Sequence, residues 1–376
     1  MKSICFLTAL LSFALFLTAC TPSSQSPCQF IDRAATRFGG QVSGMSIKVF
    51  TNSEILFENS YGYANDAENL LIDDETVFKW GSITKSLVWV SILQLYEQGA
   101  LDLNTDIRAF IPHDILPGLK YPTTVYHLMT HSSGWMEQDL IVMVFEDADA
   151  FYSFTAIDAI PADSIGHFLR NTEMPQRFQP GNYRGEYSHF GVIVASYIVE
   201  QVSGMPFYEY VHNYIFARLE MAHTAILVDM SDNAWVLERM AIQNCYVTAD
   251  RSIEALCRAM SSANVYVIAG VASTAADFHR FALALLPDGG GSALFERQET
   301  LEKLHSIFDY EISGYTDSVN GIIALNGQMC HTATMLIDTQ RNIGVIVMTN
   351  QEAEGFFNRV IWLREVVDRF VEWGGM

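Results

Sequence analysis

The chain has 376 residues, enough to bury a large core in one or two domains. Its 22 basic and 43 acidic residues leave a formal charge of −21. That balance argues against nucleic acid, and against electrostatic docking on anionic lipid, while leaving the fold open.

The amino terminus reads "MKSICFLTALLSFALFLTACTPSSQSPC". One lysine precedes an apolar stretch of about fifteen residues, followed by small residues, the pattern of a secretory signal. The run is short for a transmembrane anchor and no charged stop follows it. Leu17-Thr18-Ala19-Cys20 resembles the bacterial lipobox. The expectation is that residues 1–19 are removed, that Cys20 is lipidated, and that residues 20–38 form a tether ahead of a domain at 39–376. Thr21 is not the aspartate that retains lipoproteins at the inner membrane. A lipid-anchored envelope protein on the outer membrane, facing the periplasm, is therefore expected. In that oxidising compartment remain Cys28, Cys245, Cys257 and Cys330. Cys245 and Cys257 are close enough in sequence to be bridged, but sequence fixes no pairing. No Cys-x-x-Cys occurs, so a thiolate zinc site is not expected.

From Ser43 to Tyr63 apolar and polar residues alternate around "TNSE", which predicts a β-hairpin. Residues Ile83 to Gln98 contain no Pro or Gly and end at Gly99, predicting a helix. Its almost wholly apolar surface predicts that it is buried. Further helices are predicted over 190–204, ending at a glycine, and over "PFYEYVHNYIFARLEM", opening on a proline. Another spans 273–286, with Ser273 as its cap. Three β-rich runs follow, "SVNGIIALNGQ", "HTATMLIDTQ" and "NIGVIVMTNQ", and then an amphipathic helix, "FNRVIWLREVVDRFVEW". Strands first, helices in the middle and strands last predict an α+β fold. Both chain ends would share an antiparallel sheet with flanking helices, and about 101–290 would form a mostly helical insertion.

Within "FKWGSITKSL" stand Ser82 and Lys85, three apart at the start of the buried helix. Positions i and i+3 are neighbours on a helix. A hydroxyl at the amino end faces unpaired N–H groups and the positive end of the dipole, which suits a nucleophile and an oxyanion. An amine one turn deeper, disfavoured as a cation by burial, would relay the proton. By itself the Ser-x-x-Lys pattern also describes a capping serine with a solvated lysine.

Further blocks decide between these readings. "YEQGALDLNTDI", "TVYHLMTHSSGW", "YSHFGVIVASYIVEQVSGMPFYEYV", "AGVASTAADFHRFALALL" and "IGVIVMTN" follow in order. With the Ser-x-x-Lys segment, they resemble the serine β-lactamase and penicillin-binding-protein superfamily, on its class C, carboxypeptidase and esterase branch, from about residue 40 to 370. The resemblance implies a β-lactamase/transpeptidase-like fold and an acyl-enzyme. Ser82 would be the nucleophile, and Tyr187 in "EYSHF" would hydrogen-bond the serine oxygen and the lysine. Beside an ammonium that phenol would lose its proton more readily.

The pattern departs from the family twice. His189 stands where asparagine is usual, offering one donor and one acceptor when neutral. The third family element, Lys-Thr-Gly or His-x-Gly, is matched only by Leu325-Asn326-Gly327, which keeps the glycine and lacks the cation that binds a substrate carboxylate. His189, Asn326, Gly327 and Gln328 are the expected substrate-binding positions, and the N–H groups of Ser82 and Gln328 the expected oxyanion hole. His127 and His131 are spaced i, i+4, but Leu128 replaces the glutamate of a metalloprotease motif. No metal and no cofactor are expected, and both histidines read as parts of a turn. The acidic run "EDADA" reads as solvated loop, and "FYSF" at 151 as either cleft or core. The expected activity is serine hydrolysis of an ester, amide, β-lactam or peptidoglycan peptide, a small-molecule or cell-wall substrate. The alternative is a catalytically impaired, penicillin-binding-protein-like binding protein of the envelope.

Overall fold

The computed structural model describes residues 26–38, 44–136, 139–140, 164–182, 187–227, 230–242, 266–287, 293–312, 321–351 and 356–374. Cys20, Cys245, Cys257 and the runs "EDADA" and "FYSF" lie outside them. Helix α1 (Pro27–Phe38) precedes a hairpin of β1 (Gly44–Thr51) and β2 (Ile55–Asn65), with β3 (Leu70–Leu71) at its edge. Strand β4 (Val77–Lys79) leads into a 3-10 turn, Gly81–Thr84, and helix α2 (Lys85–Glu97). Helices α3 (Val125–Met129), α4 (Ser164–Asn171), α5 (His189–Ser203) and α6 (Phe207–Val211) follow. Next come β5 (Thr224–Ala225), α7 (Ala234–Glu238), α8 (Tyr266–Ala269), β6 (Ala272–Thr274), α9 (Ala275–Leu283) and α10 (Gln298–Ile312). Strands β7 (Ile322–Gln328), β8 (Thr332–Asp338) and β9 (Ile343–Thr349) and helix α11 (Phe356–Gly374) complete the order.

The two ends of the chain do share one sheet. Its order is β3-β2-β1-β9-β8-β7, and every pairing in it is antiparallel. Ile47 of β1 lies opposite Val347 of β9. Side chains alternate across the sheet with period two. Met45, Ile47, Val49, Leu336, Val345 and Val347 face one way, onto Ile31 and Ala35 of α1 and Leu363, Val366, Val367 and Phe370 of α11. Phe50, Met335, Ile337, Ile346 and Met348 face the other way, into the large core that includes α2 and α5. Both faces are covered, so β8 and β9 read as largely apolar runs, while β1 keeps its alternation, with Ser46 and Lys48 buried between its apolar residues.

Residues 27–38, read from the sequence as tether, are instead part of the folded body. Phe30 of α1 stacks on Trp362 of α11, with ring centroids 6.5 Å apart, and Tyr61 Oη donates to Asp32 at 2.6 Å. Every residue of α2 from Lys85 to Leu95 is buried, as expected of a helix apolar on all sides. Helix α5 opens under a Ser188 cap that accepts the Gly191 N–H and ends at Gly204, which has φ +73. Helix α9 differs from expectation in its cap. Thr274, not Ser273, accepts the Asp277 N–H, and the Ser273 hydroxyl accepts the buried Trp80 indole N–H at 2.7 Å.

A second, small sheet, β4-β6-β5, carries the turn that precedes α2. It is tied to the large sheet through the β7–β8 turn, where the Lys79 N–H donates to His331 Nδ1 at 3.1 Å. His331 is wholly buried, and burial, aided by the charge of Lys79, pushes its pKa down to about 3. His279 of α9 meets Phe50 edge-on, and burial with the charge of Lys48 pushes it down to about 4. Folding thus holds both imidazoles neutral below their ordinary value of 6.5. Between that value and about 4 the unfolded chain binds more protons, so stability falls as pH falls. The urea midpoint is expected to drop across that window. His331→Asn, which keeps an acceptor for Lys79, should make the drop shallower, and an unchanged slope would remove His331 as its source.

Candidate active site

Ser82 sits in the 3-10 turn just ahead of α2, rather than in the α-helix itself, and Lys85 opens the helix. The turn is held from outside. Trp80 N–H donates to the Val271 carbonyl at 2.8 Å, and Val271 N–H donates to Thr84 Oγ1 at 3.2 Å. Lys85 is 3 % exposed and its Nζ reaches two oxygens, Ser82 Oγ at 2.9 Å and the Ile268 carbonyl of α8 at 2.8 Å. A buried amine with two acceptors has its hydrogen-bonding needs largely met, which offsets the cost of removing it from water.

Tyr187 precedes α5, and the Lys85 amine lies 5.0 Å from the centre of its ring. His189, the first residue of α5, meets the Tyr187 ring edge-on with centroids 5.0 Å apart. The serine, the lysine, the tyrosine and His189 therefore come from two separate segments into one cluster. Ser82, Tyr187 and His189 are all partly exposed, which puts the cluster at the edge of solvent rather than deep in the core.

The strand β7 supplies the opposite wall. Gly81 has φ +55, and a Cβ there would lie 2.4 Å from the Gln328 nitrogen. A Cβ on Gly327 would lie 1.8 Å from the Trp80 carbonyl and 2.7 Å from the Ser82 nitrogen. The two backbones touch because both positions lack a side chain. This brings the amides of Ser82 and Gln328 to the same end of the cluster. Gln328 is exposed and Asn326 half-buried, with Asn326 Oδ1 accepting from Thr334 Oγ1 on β8 at 2.9 Å. Leu325 is 9 % exposed and belongs to the large apolar core. Cys330 and His331 fill the tight turn after β7, where Cys330 is buried and has φ +57.

The two histidines of "HLMTHSSG" take different parts. His127 Nδ1 accepts the Thr124 N–H while Thr124 Oγ1 accepts the His127 N–H, a capping box that opens α3. His131 Nδ1 accepts the Ser188 N–H at 3.2 Å, and its ring lies 4.7 Å from that of Tyr187. Among the described residues no three His, Cys, Asp or Glu side chains are grouped to hold a metal ion. The sequence reading missed the Ile268 carbonyl and the contact of His131 with Tyr187. The first is a backbone atom and leaves no residue signal. The second joins residues 57 positions from each other's segment, His131 to Ser188, with no shared periodicity.

A family model described as Beta-lactamase matches residues 31–367. The chain belongs to the beta-lactamase family. Esterase EstB of Burkholderia gladioli is 27 % identical over 165 residues, 42 % of this chain and 40 % of the relative. The chain spans about two-fifths or less of the length of the curated relatives it matches. Among solved structures, EstCE1, titled a hydrolase with promiscuous acyltransferase activity, superposes with a TM-score of 0.68 at 17 % identity, covering 91 % of this chain and 97 % of that one. The octameric penicillin-binding protein homologue from Pyrococcus abyssi gives 0.64 at 21 %, covering 87 % and 73 %. At such identities the structural likenesses speak for the fold, and they agree with the α+β plan. As members of this family include serine hydrolases, the chain is serine-hydrolase-like in family and fold.

The contact between β7 and the Ser82 turn yields a stability test. Gly327→Ala drives a methyl group into backbone that has no flexible end to move aside, and should cost about 3 kcal/mol in urea unfolding. Gly204→Ala, where nothing lies within 4 Å of the added Cβ, should show only the left-handed penalty of about 1 kcal/mol. A Gly327 cost no larger than that of Gly204 would mean that the two backbones part freely.

Proposed function

We propose that the protein is a serine hydrolase working through an acyl-enzyme, with Ser82 as nucleophile and Lys85 and Tyr187 moving its proton. The observation that carries the reading is the 2.9 Å contact between Lys85 Nζ and Ser82 Oγ, buried on the lysine side and open on the serine side. As Ser82 Oγ bonds to the substrate carbonyl carbon, its proton passes to Lys85 or, through it, toward Tyr187. The N–H groups of Ser82 and Gln328 receive the oxyanion. The leaving oxygen or nitrogen departs with a proton returned from the same pair, and water then cleaves the acyl ester at Ser82.

An ester or a small amide is ranked ahead of a β-lactam or a peptidoglycan peptide. Leu325 in the apolar core supplies no charge for a substrate carboxylate. The esterase among the relatives is consistent with that ranking. The same loss favours a second reading, a catalytically impaired envelope protein that binds a cell-wall fragment. Retention of Ser82, Lys85 and Tyr187 together weighs against it, since binding alone gives no chemical reason to keep all three.

The labelling test separates the two. The domain is incubated with a fluorophosphonate or a fluorescent penicillin, and its intact mass is recorded. One adduct is expected, lost in Ser82→Ala and formed at least about 100-fold more slowly in Tyr187→Phe. No adduct from either probe on folded protein would sink the hydrolase reading in favour of binding.

The amino-terminal pattern supports a place for this protein in the cell envelope, anchored by lipid on Cys20 and facing the periplasm from the outer membrane. Expression in a bacterium fed radiolabelled palmitate should label the full chain and not Cys20→Ala. Equal labelling of the two would remove the anchor from the proposal.

A further inference from the structure

Tyr187 is held between more partners than the proton transfer needs. His131 lies against it, with ring centroids 4.7 Å apart and planes inclined at 42°. His131 Nδ1 also accepts the N–H of Ser188, the residue directly after Tyr187, at 3.2 Å. On its other side His131 meets Trp89 at 5.9 Å, with planes at 66°. Trp89 is wholly buried and stands one turn beyond Lys85 on α2. The imidazole is thus a wedge. It touches both the helix that carries Lys85 and the segment that carries Tyr187.

The wedge is itself fixed. His131 is 7 % exposed and has φ +49, a left-handed region uncommon outside glycine in which histidine and asparagine are among the better-tolerated side chains. Backbone bonds hold it there: His131 N–H to the Leu128 carbonyl at 3.2 Å, Ser132 N–H to that of His127 at 2.9 Å, and Gly181 N–H to that of Ser132 at 2.9 Å. Because Nδ1 accepts an N–H, it carries no proton, and the neutral ring must carry its hydrogen on Nε2.

We infer that His131 is a positioning residue for acyl transfer: its Nδ1 pins the Ser188 amide, and thereby holds the Tyr187 phenol against Lys85. The inference rests on the reading of Ser82, Lys85 and Tyr187 as the acyl-transfer site. His131 moves no proton and touches no substrate in this scheme. It acts on the rate of Ser82 acylation through the placement of a group that does, and small misplacements of such a group are costly.

Two variants separate the parts of the residue. His131→Phe keeps a ring against Tyr187 and Trp89 but offers no acceptor. His131→Asn offers Oδ1 close to where Nδ1 stands, lacks the ring, and tolerates a positive φ. Saturation kinetics of fluorophosphonate labelling give a limiting rate and a half-saturating concentration, and the final adduct fraction counts competent molecules. His131→Phe should lower the limiting rate by about 10- to 100-fold per competent molecule, leaving half-saturation within about twofold. His131→Asn should restore the rate to within about threefold of the parent. A purely structural role would lower the adduct fraction in both variants and leave the limiting rate alone, which would overturn the inference. Loss of rate in a folded His131→Asn would also overturn it, because the acceptor would then be irrelevant. Should His131→Phe not fold, the His131→Asn rate decides by itself. Failure of the parent protein to label at Ser82 would overturn the acyl-transfer reading and this inference with it. Normal parent labelling with unaffected variants would overturn this inference alone.

Discussion

The contact on which the site depends is between two stretches of bare backbone. Gly327 of β7 presses on Trp80 and Ser82, and Gly81 presses on Gln328. Neither pair is near in sequence, and each requires the absence of a side chain. The outcome is that the amide after Gly81 and the amide after Gly327 end at the same place, beside a hydroxyl. In the proposed chemistry, donors fixed in this way would need no reorganisation as charge develops in front of them, the physical basis of oxyanion stabilisation. The contact also couples the site to the whole fold. Strand β7 is placed by β8, β8 by β9, and β9 by β1 at the other end of the chain. The turn bearing Ser82 is placed by the small sheet and by the segment after α8. The cluster exists only once these long-range pairings have closed, so its assembly belongs to the slow, non-local part of folding.

Charge in the cluster is sparse. Lys85 is buried and shared between a side-chain oxygen and a main-chain oxygen. Imidazoles and a phenol surround it, and Leu325 of the facing strand lies in the apolar core. A site with one amine and aromatic neighbours exerts little long-range pull on anions. The overall charge of −21 points the same way, since it repels anionic ligands at a distance.

Much of this was legible in the residues. Strict alternation announced the β1–β2 hairpin, and three short apolar runs with turn residues between them announced β7, β8 and β9. Helix α2 was legible because a long apolar run without Pro or Gly admits little else, and the end of α5 because Gly204 permits the left-handed turn. Misplacements came where two residues compete for one role. Ser273 and Thr274 both suit a cap, and tertiary structure assigned Ser273 to Trp80 instead. Residues 27–38 follow a polar stretch that reads as a tether, and the face formed by Ile31 and Ala35 became meaningful only with α11 behind it. Within the site, side chains that recur in a family pattern were legible and their supports were not. Ile268 acts through its carbonyl, and His131 through an amide that belongs to a distant residue. Neither interaction has a period or a spacing to betray it.

The paired glycines restrict what substitution can do to this protein. Positions 81 and 327 are closed to every side chain while the strand and the turn stay in contact. If the proposed acyl transfer is what the site does, new preferences among acyl groups would come from the rim, where Asn326, Gln328 and His189 each keep some exposure. Such a site would diversify by changing what borders the opening while the floor stays constant, and its specificity would drift far more readily than its chemistry.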